Sequence, residues 1–76
     1  MEKSDIKSKL DRNGFVFTDL DSGVRITARG PQSPGGDIGA KTYVKAQRNG
    51  NVLDSRECAS NSHAASVYVQ YVEEHR

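Results

Sequence analysis

The dipeptide Asn49-Gly50 sits between KTYVKAQR and NVLDSREC and constrains this chain more than any other feature. Asn-Gly flanked by alternating apolar and polar residues is a preferred centre for a two-residue β-hairpin, because both turn positions require positive φ. A turn at that dipeptide sets Arg48 opposite Asn51, Ala46 opposite Leu53 and Val44 opposite Ser55 on one face, together with Thr42. The other face then pairs Gln47 with Val52, Lys45 with Asp54, Tyr43 with Arg56 and Lys41 with Cys58. Side chains alternate across a strand, so this register decides which residues meet a core and which meet water. An amphipathic helix follows directly. Ala64, Val67, Tyr68, Tyr71 and Val72 recur at i, i+3, i+4, i+7 and i+8, widened by Ala65 and Val69, with Ser60, Asn61 and Ser62 as N-cap candidates.

The first half of the chain adds the remaining elements. Ser4 can cap a short helix over about residues 5–12, with Asp5 at its positive end, Ile6 and Leu10 on one face and Asn13-Gly14 as a left-handed stop. FVFTDL, residues 15–20, reads as a strand that carries Phe15 and Phe17 on one side; Asp21-Ser22-Gly23 reads as a turn. In VRITAR, residues 24–29, Val24, Ile26 and Ala28 alternate with Arg25, Thr27 and Arg29. Gly30 to Ala40 holds both prolines and four of the seven glycines, which predicts a surface loop whose one large apolar residue, Ile38, anchors it. The expected fold is α+β in a single domain over 1–76. A four-stranded, mainly antiparallel sheet carries the C-terminal helix on one face and the short N-terminal helix beside it. Phe15, Phe17, Val24, Ile26, Val44, Ala46 and Leu53 form the face beneath the helix.

Composition narrows the function. At 76 residues the chain makes one domain and buries only about 60–65% of its unfolded surface, which leaves little room for an internal pocket. Eleven basic and ten acidic side chains give +1, so the molecule as a whole is neither an acidic nucleic-acid mimic nor a strongly basic nucleic-acid binder. A lone cysteine, Cys58, excludes a disulfide within the chain. No apolar run resembles a signal peptide or approaches the roughly 20 residues of a membrane span, so a cytoplasmic setting is expected.

Catalytic chemistry is not expected either. The Gly-rich segment lacks the Gly-Lys-Ser/Thr ending of a phosphate loop, and His63 and His75 lie too far apart for a shared metal on one helix face. Cys58 and His63 lack an evident pocket, and the carboxylates scatter over turns and solvated faces. The reading is therefore a protein that is not an enzyme and uses no cofactor and no metal.

The better lead is the outward sheet face. Arg25, Arg29, Lys41, Tyr43, Lys45 and Arg56 share it with Thr27 and Gln47, five cations against the single carboxylate of Asp54. A solvated sheet face carries Lys and Arg as a matter of course. The same cluster can also dock on an acidic protein surface or on phosphates, with the arginines as bidentate contacts, the lysines as point charges and Tyr43 as central anchor. One tyrosine is too few for a base-stacking platform, which needs two or three aromatics. A protein partner is thus the first reading and direct nucleic-acid binding the alternative. A homodimer by edge-strand pairing is a third arrangement open to this sequence.

The segment YVKAQRNGNVLDSRECASNSHAASVYVQYV, about 40% of the chain, and the order of short polar start, strands, Asn-Gly hairpin and terminal Ala/Val/Tyr helix resemble several small phage-encoded anti-CRISPR proteins. That resemblance implies a cytoplasmic, non-catalytic inhibitor that binds a CRISPR effector subunit or complex and sterically blocks DNA binding or cleavage. Those proteins share no common motif, so the resemblance assigns no residue. The near-neutral charge departs from their acidic DNA-mimicking members.

Overall fold

The computed structural model describes residues 2–30 and 42–76. It contains α1 (Lys3–Asn13), β1 (Phe15–Asp19), β2 (Arg25–Arg29), β3 (Thr42–Arg48), β4 (Asn51–Cys58) and α2 (Asn61–His75), in that order. The strands form one antiparallel meander, β1-β2-β3-β4. Both helices lie on one face and leave the other open, which is the expected α+β architecture. No helix among the described residues is long and apolar enough to cross a membrane. The connection from residue 31 to 41, including Ile38 and Lys41, lies outside the described residues.

Local chemistry explains the element ends. α1 begins one residue before the expected cap: Glu2 occupies the N-cap without a side-chain bond, and Gly14, at φ 79°, closes the helix by donating its N–H to Leu10 O. Ile6 and Leu10 are its buried residues. Ser60 caps α2, its Oγ accepting from His63 N at 3.1 Å. Beneath α2 gather Val24, Ile26, Ala28, Val44 and Ala46, met by Ala64, Ala65, Val67, Tyr68, Tyr71 and Val72, all within a single core cluster. Asn61 ties the two helices together by donating from Nδ2 to Asp11 Oδ1 at 2.8 Å.

Two further features depart from the sequence reading, and both are matters of register. In the first hairpin Leu20 N donates to Val24 O, so Leu20 stands opposite Val24 across three loop residues, with Gly23 at φ 90°. Every later pair inherits that parity: Thr18 opposes Ile26, Val16 opposes Ala28, and Phe17 and Phe15 oppose Thr27 and Arg29. Val16, not the phenylalanines, therefore enters the core; Phe15 and Phe17 are 41% and 46% exposed on the open face.

The second departure lies in the Asn49-Gly50 hairpin. Both turn residues have positive φ, 51° and 84°, as a type I′ turn requires, and Arg48–Asn51 and Gln47–Val52 pair as expected. A bulge then intervenes, because Ala46 pairs with Asp54 and leaves Leu53 unopposed. The pairs beyond it become Lys45–Ser55, Val44–Arg56, Tyr43–Glu57 and Thr42–Cys58. One extra residue turns the rest of β4 over. Leu53 lies 44% exposed instead of in the core, and Arg56 sits on the helix side of the sheet.

Candidate functional site: the open sheet face

The pairings order the open face into transverse rows, because residues directly opposite in an antiparallel sheet share a face. The first row runs Phe15, Arg29, Tyr43, Glu57; the second Phe17, Thr27, Lys45, Ser55; the third Asp19, Arg25, Gln47, Val52. Phe15 and Phe17, two residues apart on β1, stack with ring centroids 5.9 Å apart and planes 11° from parallel. Cations cover the rings. The Arg25 guanidinium lies 4.6 Å from the Phe17 centroid, Arg29 lies 5.5 Å from Phe15, and Lys45 Nζ lies 5.9 Å from Tyr43. Each contact places positive charge over the negative face of an aromatic ring.

Arg25 is also held by Asp19, which accepts from Nε at 2.6 Å and from Nη2 at 3.1 Å. This fork holds the Asp19 carboxyl below the usual carboxylate range and pushes the Arg25 guanidinium up. Together the side chains enclose a shallow, open depression of about 390 Å³ spanning β1 to β3. Its lining is part aromatic, from Phe15, Phe17 and Tyr43, and part cationic or polar, from Arg25, Arg29, Lys45, Thr27 and Gln47.

Of the six residues proposed from sequence, Arg25, Arg29, Tyr43 and Lys45 meet here as expected. Lys41 falls outside the described residues. Arg56 is on the opposite side, a correction that follows from the Leu53 bulge. It stands near enough to Tyr71 and Cys58 for its charge to act on both. Phe15, Phe17, Asp19 and Glu57 join the face unannounced, and Asp54 leaves it. Three described cations, Arg25, Arg29 and Lys45, now stand against two carboxylates, Asp19 and Glu57, so the face is aromatic first and only weakly basic.

Two further groups carry chemistry in the sequence. Cys58 is buried, and burial pushes its thiol up, which opposes formation of a nucleophilic thiolate. The His63 ring accepts from Ala59 N through Nδ1 at 3.4 Å, a local contact at the start of α2. At the other end of that helix, His75 Nε2 lies 2.8 Å from Asp54 Oδ2 and fastens α2 to β4. The bulge makes this contact possible by turning Asp54 toward the helix side. Glu74 lies beside the pair, with ligand-capable atoms of all three residues within 4.8 Å of one another. No known protein family, curated protein or solved structure matches this chain.

Proposed function

We propose that this chain is a non-catalytic protein-binding module that docks through its open sheet face. Two stacked phenylalanines, nearly half exposed beneath arginine guanidinium groups, carry this reading. The solvated side of a half-buried sheet ordinarily presents polar residues, and a contiguous aromatic patch there leaves apolar surface in water. The centres of protein interfaces are enriched in aromatics and arginine and depleted in lysine and glutamate. A matching partner offers apolar groups to Phe15, Phe17 and Tyr43, and carboxylates to Arg29 and Lys45 around them.

The resemblance in layout makes a CRISPR effector complex in the cytoplasm the first partner to test. In that setting the chain would inhibit by occlusion, as a phage or mobile-element protein. The test is co-purification of an effector with wild type and with a Phe17→Ala, Arg29→Ala variant. Stoichiometric recovery that the substitutions abolish supports the reading. Equal recovery by both chains would sink it.

One observation favours a second reading, single-stranded nucleic acid. The face holds three aromatics, the number a base-stacking sheet uses, where the sequence reading counts one. Against it stands the balance of charge, since phosphate-tracking grooves are strongly positive. Anisotropy with labelled single-stranded oligonucleotides separates the two. A nucleic-acid site using Arg25, Arg29 and Lys45 would lose affinity with a log–log salt slope of about −2, from roughly three phosphate contacts. A protein-docking face retains no oligonucleotide at physiological salt.

A further inference from the structure

β4 is the longest strand and an edge of the sheet, with no strand on its outer side among the described residues. Residues 51–57 are all exposed, so this strand is wet on both faces as well as along its free edge. Such an edge is a template for another strand unless something guards it. The guards here are the Leu53 bulge and two charged residues turned to the helix side, Asp54 and Arg56. Both lie opposite apolar partners on β3, Ala46 and Val44. Asp54 already contacts His75, whereas Arg56 forms no ion pair among the described residues.

These charges repel or strand most incoming edges but not every one. In antiparallel self-pairing, position i of one strand meets position j of its copy with i + j constant, and the two must share a face. Centring the two-fold on Asp54 sets Asp54 against its own copy, and centring it on Arg56 sets Arg56 against its own copy. Centring it on Ser55 sets each Asp54 against the other chain's Arg56, twice over. Only that register converts the guards into complementary pairs.

We propose that β4 pairs with β4 of a second copy about Ser55, giving a continuous eight-stranded sheet. The two-fold axis stands perpendicular to the sheet, so both helical layers lie on one side and both aromatic faces on the other. One face alone, four strands wide and five to eight residues long, spans about 400 Å². That is near half of the roughly 800 Å² per partner of a standard interface, and the coplanar pair makes up the difference. The inference rests on β4 alone and stands or falls independently of the docking reading.

Charge exchange tests it. Sedimentation velocity of the full chain, up to about 1 mM, should show concentration-dependent dimer. Asp54→Arg and Arg56→Asp each place like charges opposite one another, and each should weaken dimerisation at least about tenfold. Mixing the two variants sets Arg against Asp at both positions and should restore a heterodimer. Both positions are exposed, and Arg56→Asp keeps the His75 contact, so circular dichroism should report a folded chain. A wild type that stays monomeric throughout overturns the proposal. So does a mixture that dimerises no better than its components.

Discussion

At the residue scale, the two phenylalanines lie where hydrophobicity alone would not put them. The phenylalanines, expected inside, are outside, while Tyr68, with a hydroxyl to satisfy, is 1% exposed and hydrogen-bonded to Thr18. Burial raises the Tyr68 hydroxyl to about 12, above its ordinary value near 10. Between those values the unfolded chain loses the proton and the folded chain keeps it, so the stabilisation present below pH 10 is lost as pH rises toward 12. Denaturant titrations should show a fall of about 2–3 kcal/mol across that window. Tyr68→Phe should flatten it; an unchanged alkaline loss would place the effect elsewhere. Phe17→Ala tests the opposite case. Because Phe17 is exposed, its loss should cost only about 0.5–1 kcal/mol from cross-strand and cation contacts. Destabilisation near the 3–5 kcal/mol of a buried phenylalanine would contradict its placement. The inversion was legible in principle. Asp21-Ser22-Gly23 is a three-residue loop with Gly at the left-handed position, and it sets Leu20 opposite Val24. Parity from there puts Val16 inside, but the bulk of Phe15 and Phe17 outweighed it in a reading by hydrophobicity.

At the element scale, the helices and the turn chemistry were visible because each rests on a local rule. Ile6 and Leu10, the α2 stripe, the Gly14 stop and the type I′ turn all depend on residues within a few positions of each other. The face assignment of β4 depends on a bulge. NVLDSREC carries no glycine or proline to announce one, and the balance is struck by what each face meets across the sheet. With the bulge, Asp54 reaches His75 and Cys58 enters the core. Without it, Leu53 would be inside, Asp54 would point away from His75, and Cys58 would face water. Deleting Leu53 is therefore an informative experiment. If Leu53 is the extra residue, its removal restores strict alternation and leaves Asp54, Arg56 and Cys58 on their present side. The expected cost is under about 1 kcal/mol, since an exposed residue is lost. Amide and Cβ chemical shifts of residues 54–58 should barely move, and the Cys58 thiol should stay protected from alkylation. A reactive Cys58 in a folded deletion variant would show that the strand had turned over.

At the scale of the whole molecule, α1, β1–β3, the end of β4 and α2 share a single core, with Leu10, Ile26, Val44 and Tyr68 at its centre. A 76-residue chain has a total stability of only about 4–11 kcal/mol. Its open face exposes aromatic surface that adds little to that core, so the entire balance rests on the helix side of the sheet. No second core exists among the described residues to hold part of the fold if α2 detaches. Val72 measures this dependence. It is 6% exposed on the α2 stripe, and Val72→Asp would bury an unpaired carboxylate against that shared cluster. The substitution should remove the cooperative thermal transition altogether, with the far-ultraviolet dichroism of an unfolded chain at about 25 °C. Gln70→Asp, two residues earlier and exposed, introduces the same group on the wet side and should keep a cooperative melt within about 1 kcal/mol of wild type. If both variants melt alike, α2 contributes too little for the open face to be held by it. If Val72→Asp alone unfolds, the sheet that presents Phe15, Phe17 and Tyr43 owes its existence to the helix behind it.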